Sequence, residues 1–269
     1  MKHRSTLWIV LAAVSLISSF PSSSLFADQP ATIRVLTYNI HHGEGVDGKL
    51  DLDRIANVIR SASPDVVFLQ EVDQNAKRSD DVDQPAELAK LTGMHVVFGA
   101  NIPLQGGHYG NAILSKFPIT ESDNVLLPNR NDGEQRGVLT ATTMLGGMPV
   151  RIYATHFDHR RNDEERYASA KRVNELVGQQ PPEPALFGGD INDVRSSRVI
   201  KELQKEWRIA GNVEQPTIPV GNPERQIDFV FSRPSNRWKT SETKVLGETV
   251  ASDHRPLLVI LELTPVKSY

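Results

Sequence analysis

Eight polar side chains stand at or near the ends of apolar segments, where folding can bring them together. Each segment is short and apolar enough to form a strand, and residues on rigid strand ends can converge on one pocket. Along the chain these residues are Asn39, Glu71, His156, Asp190, Asn192, Asp228, Asp253 and His254.

The residue types in this set suit hydrolysis of a phosphate ester. Carboxylates and carboxamides supply oxygen ligands, which favour a hard cation: Mg²⁺, Mn²⁺ or Ca²⁺. The two imidazoles can transfer protons or stabilise developing negative charge. In such a site a metal neutralises a phosphoryl oxygen, a carboxylate activates water and an imidazolium stabilises the transition state.

Each residue taken alone also has a structural explanation. Asn39 would be a turn residue at a strand end, and Asp190 with Asn192 would form an Asx turn. Asp228, inside an apolar strand, needs a partner, for which Arg225 is one candidate. The joint order of the whole set favours the catalytic interpretation over these separate ones.

The apolar pattern predicts the elements that must position these residues. Three segments have helical character: Leu52–Ser61 with Asp51 as its cap, Pro85–Leu91 closed by Gly93, and Glu164–Val177. Strands are predicted over Ile33–Ile40, Asp65–Gln70, His95–Phe98, Gly110–Ser115, Val138–Met144, Val150–His156, Ala185–Gly189, Ile227–Phe231 and Leu257–Leu263. The pair Gly188-Gly189 favours a bend at a strand end over a phosphate-cradling loop.

Helices interspersed with many strands indicate two packed sheets with helices on their outer faces. No linker and no repeat of fixed period divides the chain. We therefore expect a single domain of α/β class over residues 28–269.

Composition excludes several classes of protein. With 39% hydrophobic and 23% charged residues, the chain can form both a core and a solvated surface, unlike a disordered chain. Its 30 Lys and Arg against 33 Asp and Glu give a net charge of −3, which argues against nucleic-acid binding by bulk charge. The absence of cysteine excludes disulfides, zinc–thiolate sites, iron–sulfur clusters and thiol nucleophiles.

The first 27 residues, Met1–Ala27, have the three-part pattern of a secretory signal peptide. Lys2 and Arg4 precede the uncharged segment Leu7–Phe20, and a Ser/Pro-rich stretch follows. That segment would rise about 21 Å as a helix, short of a bilayer core of roughly 30 Å. A cleaved signal is favoured over an uncleaved membrane anchor, and export to a periplasm or out of the cell is expected.

An ordered set of short motifs covers nearly the whole mature chain: TYNI (37–40), LQE (69–71), GNAILS (110–115), TH (155–156), GGDIN (188–192), IDFVF (227–231) and SDH (252–254). In this order the set resembles the endonuclease/exonuclease/phosphatase superfamily. Its members include pancreatic-type deoxyribonuclease, apurinic-site endonucleases, bacterial sphingomyelinases and inositol-polyphosphate phosphatases. The resemblance implies a four-layer α/β/β/α sandwich of two mixed sheets flanked by helices.

The resemblance also implies a metal site. Glu71 would be the principal ligand, and Asn39 beside it would hold metal-bound water or phosphate. Asp253 would be a further carboxylate that binds the metal or organises water. Mg²⁺ is the implied cofactor, with Mn²⁺ and Ca²⁺ as alternatives.

The catalytic residues follow from the same resemblance. Asp190 would orient or deprotonate the attacking water, and Asn192 would hydrogen-bond the phosphate. His156 would stabilise the phosphorane-like transition state. His254 would bind phosphate or act as general acid, with Asp228 orienting its ring and raising its pKa.

Two further residues are implied to contact the substrate. Asn111, with Gly110, would place a loop at the rim of the site. Arg136, in the sequence EQRG, would reach the scissile phosphate. The mixed-charge loop 77–81 is instead expected at the surface.

The resulting prediction is an exported, divalent-metal-dependent phosphodiesterase that acts on nucleic acid or a small phosphodiester. Alternatives on the same site are a phosphomonoesterase and a sphingomyelinase-like phospholipid hydrolase. A non-catalytic binding module would be free to lose residues of the set, and a zinc hydrolase is disfavoured because no HExxH motif occurs. A phosphate-ester substrate is the expected partner, with no stable membrane association after signal cleavage and no protein partner.

Overall fold

The structure is a computed structural model that describes residues 29–130, 132–178 and 183–265. The predicted signal peptide lies outside the described residues. The helices are α1 (Leu52–Ala62), α2 (Gln84–Thr92), α3 (Glu164–Gly178) and α4 (Arg198–Leu203). The strands are β1 (Ala31–Asn39), β2 (Val66–Gln74), β3 (His95–Leu104), β4 (Gly107–Ser115), β5 (Ile119–Leu126), β6 (Gly137–Leu145), β7 (Met148–His156), β8 (Ala185–Asp190), β9 (Arg208–Ile209), β10 (Asp228–Arg233), β11 (Trp238–Val245) and β12 (Leu257–Leu263).

The strands form two mixed sheets of six strands each. The first sheet has the order β11-β12-β1-β2-β4-β3, and the second has the order β5-β6-β7-β8-β10-β9. Each sheet contains one parallel pair near its centre, β1 with β2 and β7 with β8. These two pairs matter for function, because parallel strands end at the same edge of a sheet.

Successive side chains of a strand point to opposite faces of its sheet, so each strand contributes to two buried cores, one between the sheets and one under the helices. In β1, Ile33 and Val35 pack into a core between the sheets, whereas Leu36 and Tyr38 pack toward the helices. The inter-sheet core draws apolar residues from both sheets, including Phe68 of β2. The near-continuous apolar runs read from the sequence are therefore strands buried on both faces.

The helices cover the outer faces of the sheets. Helices α1 and α2 pack on the first sheet, and α3 and α4 pack on the second. As predicted, Asp51 caps α1 by accepting from the amide of Arg54, and Gly93 ends α2 in the left-handed region. The arrangement is the four-layer α/β/β/α sandwich that the motifs implied.

The two adjacent glycines of β8 serve close packing. A Cβ at Gly188 would lie 2.5 Å from Cδ2 of Phe68 in the facing sheet. Gly189 has φ +145°, and a Cβ there would lie 1.9 Å from the carbonyl oxygen of Thr155 on β7. The glycines let β8 approach both neighbours, in line with a backbone role for this pair.

Three strands were not predicted. β9 has only two residues, and β5 and β11 are edge strands whose residues are mostly exposed, so they lack the apolar alternation that marks the others. Among the described residues, no helix combines the length and apolar character needed to cross a membrane.

Candidate active site

Seven of the ten predicted site residues line one cleft of about 420 Å³ at the edge where β1, β2, β7 and β8 end. They are Glu71, Arg136, His156, Asp190, Asn192, Asp253 and His254. Asn39 and Asp228 are buried and hydrogen-bond to residues of the cleft. Nine of the ten residues thus lie together: the eight polar residues at strand ends, and Arg136, which the resemblance implied.

Glu71 reaches the cleft from an irregularity in β2. The pairing of β2 with β4 shifts register between Leu69 and Val72, and Glu71 itself has φ 57°. A left-handed residue inside a β-bulge turns its side chain away from the regular alternation. Asn39 fixes the carboxylate by donating from Nδ2 to Oε1 at 3.0 Å.

The amide of Asn39 also joins the two sheets. Its Nδ2 lies 3.2 Å from Oδ2 of Asp190, at the end of β8 in the second sheet. Its Oδ1 accepts from the backbone amide of His41 at 3.1 Å. Both amide hydrogens of Asn39 are therefore engaged and hold Glu71 and Asp190 at a fixed spacing, while Oδ1 retains a second lone pair.

His254 is held by Asp228. Its Nδ1 donates to Oδ2 of Asp228 at 2.9 Å, and Thr217 donates to the same oxygen. Burial lowers the pKa of His254, but the charge and hydrogen bond of Asp228 outweigh burial and raise the pKa to about 10. The prediction that Arg225 is the partner of Asp228 is therefore wrong. His254 carries a positive charge, and its Nε2 is free to donate a hydrogen bond.

Asp190 is suited to accept a proton, whereas His254 is suited to donate one. Burial, followed by the charge of Asp228, raises the pKa of Asp190 above the ordinary value, and His254 opposes the shift. Its Oδ1 accepts from the backbone amide of Asn192 at 2.8 Å. A carboxylate with a raised pKa is suited to accept a proton near neutral pH.

The second imidazole, His156, is neutral. Burial, then the charges of Arg136, His254 and His159, lower its pKa well below the ordinary value. Asn192 donates from Nδ2 to Nε2 of His156 and to the carbonyl of Phe157, both at 3.0 Å. The positive charge expected of an imidazole in this set therefore belongs to His254, and His156 orients the amide of Asn192.

Arg136 stands on the cleft wall as predicted. One guanidinium nitrogen lies 3.1 Å from Oε1 of Glu134, and another donates to Nδ1 of His159 at 3.2 Å. A second arginine, Arg78, also lines the cleft and pairs with Asp73 at 2.8 Å. The surface position expected for the loop 77–81 is thus wrong for Arg78, because the buried carboxylate of Asp73 draws it inward.

Asn111 does not lie in a loop at the rim. It is inside β4, fully buried, and is not part of the cleft wall. Its Nδ2 donates to the carbonyl of Gly137, which also accepts from Thr155. The expected rim position is wrong, because the strand continues through GNAILS and uses the amide to join the two sheets beside Arg136.

Sequence reasoning missed part of the surroundings. Thr217 and Ile218 come from an irregular segment before β10, and nothing in their local sequence marks them as site residues. The apolar wall of Ile102, Leu104 and Tyr109 belongs to the hairpin of β3 and β4. In the sequence, only the Gly-rich turn between β3 and β4 marked this hairpin.

Two groups of described residues have the spacing of a metal site. Asp190, Asp228 and His254 form a buried group, and His41, His42 and Glu71 form a second group. In the first group Nδ1 of His254 is engaged with Asp228, and one oxygen of Asp190 accepts from the backbone amide of Asn192. Glu71 offers an oxygen beyond the one that accepts from Asn39, and Asp253 lines the same cleft. The oxygen donors Asn39, Glu71 and Asp253 therefore fit a hard cation better.

A four-layer sandwich with a carboxylate–imidazole array at the shared strand edge defines a phosphoester hydrolase. The chain belongs to the endonuclease/exonuclease/phosphatase family, whose family model matches residues 36–254. This confirms the family inferred from the motifs, and with it the class of enzyme.

Individual proteins show the same relationship. The chain is 27% identical over 251 residues to the uncharacterized protein YbhP of Escherichia coli K12, covering 87% of this chain and 98% of that protein. It is 27% identical over 191 residues to a 5'-tyrosyl-DNA phosphodiesterase of Caenorhabditis elegans, covering 67% of this chain but only 49% of that protein. A crystal structure of an endonuclease/exonuclease/phosphatase from Beutenbergia cavernae superposes with a TM-score of 0.72 at 27% identity, covering 87% of this chain and 72% of the other.

Proposed function

We propose that this protein is an exported, divalent-metal-dependent phosphodiesterase. The observation that carries the proposal is the pairing of Asp190 with His254 on the floor of the cleft, 3.7 Å apart. The pKa values of both residues are raised: burial raises that of Asp190, contrary to a simple ion pair, toward a basic carboxylate, and Asp228 raises that of His254 against burial, toward a persistent imidazolium. Two titratable groups tuned in this way indicate a base and an acid of one reaction.

The oxygen donors Asn39, Glu71 and Asp253 would hold the metal ion. When bound, a divalent ion there supplies positive charge to a phosphoryl oxygen. The chain contributes the rigidity of the site, because Asn39 fixes Glu71 and Asp190 together. Ser252 adds to this by donating to the carbonyl of Asn39 at 2.7 Å, next to Asp253.

The remaining steps belong to side chains of the cleft. Asp190 accepts the proton of the attacking water through Oδ2, the oxygen nearest His254 and His156. His254 presents a proton at Nε2 to the phosphoryl group, because Nδ1 is engaged with Asp228. The Nδ2 group of Asn192 donates to Nε2 of His156 and to the carbonyl of Phe157, so Asn192 positions the cleft wall and does not itself donate to the phosphate. The proton of His254 stabilises charge that develops in the transition state.

The charge of the cleft wall favours a diester over a monoester. Arg136 and Arg78 are each paired with a carboxylate, Glu134 and Asp73. A phosphomonoester dianion would need more free positive charge than these paired groups offer, whereas a diester carries one negative charge. The apolar residues Ile102, Leu104 and Tyr109 on the wall can accept a substituent of the phosphate. The phosphodiesterase name of the Caenorhabditis elegans relative supports the same choice.

The test is an assay of residues 28–269 with Mg²⁺ and with EDTA. Substrates are bis(p-nitrophenyl) phosphate, p-nitrophenyl phosphate, plasmid DNA and sphingomyelin, with Glu71→Gln at low Mg²⁺ as the control with weakened metal binding. We expect Mg²⁺-dependent cleavage of a diester at a higher kcat/KM than the monoester. A preference for p-nitrophenyl phosphate would make the protein a phosphomonoesterase, and preferred cleavage of sphingomyelin would make it a phospholipid hydrolase. No metal-dependent cleavage of any substrate would contradict the proposal.

Export is tested separately. Residues 1–27 are fused to a reporter enzyme that is active only outside the cytoplasm, and a fusion that lacks the segment Leu7–Phe20 is the control. Activity of the first fusion alone would support export. Equal reporter activity from both fusions would contradict it.

A further inference from the structure

Two consecutive histidines stand beside the proposed magnesium ligand. One ligand atom each of His41, His42 and Glu71 lies within 4.8 Å of the others. The two imidazole rings have their centroids 4.5 Å apart and are tilted by 58°. This group is separate from the Asp190–His254 pair, and its two histidines play no part in the steps described above.

His41 is held in a form that can bind a cation. Its Nδ1 donates to the carbonyl of Glu44 at 3.1 Å, which fixes the tautomer and leaves a lone pair on Nε2. The ring lines the cleft. A metal-bound histidine characteristically has its second nitrogen fixed by a carbonyl or carboxylate in this manner.

His42 has a buried nitrogen without a hydrogen-bond partner among the described residues, Nδ1. The side chain is only 12% exposed, and its Nε2 lies 3.6 Å from Glu44, too far for a good hydrogen bond. Buried polar atoms without partners are rare, and one reason for them is an ion that binds there.

The backbone is constrained to bring the three residues together. His41 and His42 both have φ 45°, and Glu71 has φ 57°, a region that costs free energy for residues other than glycine. Gln84 clamps the two segments: its Nε2 donates to the carbonyl of His42 at 2.6 Å, and its Oε1 accepts from the amide of Asp73 at 3.0 Å. The cluster is therefore built by contacts outside it and not by chance proximity on a surface.

We propose that His41, His42 and Glu71 form a second cation site, which takes a divalent transition-metal ion such as Zn²⁺. Imidazole nitrogens favour transition-metal ions, whereas Mg²⁺ prefers oxygen ligands. Glu71 has two carboxylate oxygens, so it can serve this ion and the magnesium site together, as bridging carboxylates do in two-metal hydrolases. The inference uses the proposed function only in sharing Glu71.

Binding, and not activity, tests the site. Metal-free protein is saturated with Mg²⁺ and titrated with Zn²⁺ by calorimetry, with bound zinc per chain measured after dialysis. Wild type is expected to take up one Zn²⁺ that Mg²⁺ does not displace. His41→Gln and His42→Gln are each expected to weaken this binding by about 100-fold or more, since loss of even an outer partner of a metal ligand costs 10- to 100-fold.

His95→Gln is the matched control, because His95 is exposed at the start of β3. It should bind Zn²⁺ as the wild type does, and circular dichroism should show every variant folded. The proposal is overturned if Mg²⁺-saturated protein binds no Zn²⁺, or if both histidine variants bind it unchanged. Because zinc uptake is measured without a substrate, an inactive protein that binds Zn²⁺ through these histidines would contradict the phosphodiesterase proposal alone.

Discussion

The carboxylate of Asp190 lies 3.7 Å from Nε2 of His254, and the two residues reach this distance from different sheets. Asp190 ends β8 in the second sheet, whereas His254 precedes β12 in the first. The distance is set by the inter-sheet core and by Asn39, which hydrogen-bonds across the same seam. The reactive pair therefore depends on the mutual position of two sheets.

Asp190→Asn should lower activity while it raises stability. The raised pKa means that the folded protein resists ionisation of Asp190, so the wild type loses stability as pH rises above the ordinary aspartate value of 3.8. The variant lacks this loss, and its melting temperature should improve relative to wild type from pH 4 to pH 8. Its kcat should fall by about 100-fold or more, the scale of a lost base. Near-wild-type kcat would remove Asp190 from the mechanism.

Asp228→Asn should change the pH profile. In the wild type His254 stays protonated until the pH approaches its pKa of about 10, so activity should persist to alkaline pH. Without the Asp228 charge, the largest influence that raises the pKa of His254 is lost while burial remains, so this pKa falls below its wild-type value and the alkaline fall of kcat/KM moves to lower pH. Thr217→Val is the control, because it removes a hydrogen bond to Asp228 but leaves the carboxylate. An alkaline limb that stays in place in Asp228→Asn would show that His254 is not the group titrating.

Glu71→Gln should raise the Mg²⁺ concentration needed for half-maximal activity. The amide retains one oxygen but loses the charge that attracts a hard cation. Magnesium titrations of activity measure the change, with Glu87→Gln on α2 as a control outside the cleft. Equal Mg²⁺ requirements in Glu71→Gln and wild type would exclude Glu71 as a ligand.

Glu248→Gln should destabilise the fold in a pH-dependent way. Burial raises the pKa of Glu248, but Oε1 accepts from the amides of Thr249, Val250 and Ala251, and these bonds lower it below 4.5 overall. A lowered folded-state pKa contributes stability above the unfolded value, and this is lost as pH falls through the folded value. At pH 7 the variant should lose about 1 kcal/mol, reduced by solvent from the full strength of charged hydrogen bonds.

The measurement is chemical denaturation of wild type and Glu248→Gln from pH 3 to pH 8. The difference should shrink toward zero at the acid end. The exposed Glu242→Gln on β11 is the control and should show little change at any pH. A difference independent of pH would mean that the charge of Glu248 does not stabilise the turn.

The sequence was informative wherever residue type and local geometry are tightly coupled. Asp51 and Gly93 marked helix ends because only a few residue types cap helices well. Asp228 marked a buried site because a carboxylate within an apolar strand needs a partner. That partner, His254, is 26 residues away, and only the fold reveals it.

Other features of the site and the fold leave no signal in the local amino-acid sequence. The left-handed backbone of Glu71 arises from a register shift between β2 and β4, which depends on pairing across the sheet. Asn111 was expected at the rim because the family resemblance implied a loop there, although Gly110–Ser115 was itself predicted as a strand; that strand begins at Gly107. Edge strands such as β5 face solvent, so hydrophobic periodicity cannot find them.

The position of β12 has a consequence for how the protein is made. This strand lies between β11 and β1, so the first strand of the described fold acquires its antiparallel neighbour only when one of the last segments arrives. Until then β1 is an unpaired edge, and His254 is absent from its place beside Asp190. A chain that has been synthesised only as far as β11 therefore has no complete active site. The site can form only once β12 has joined β1, so the strand order sets when activity can begin.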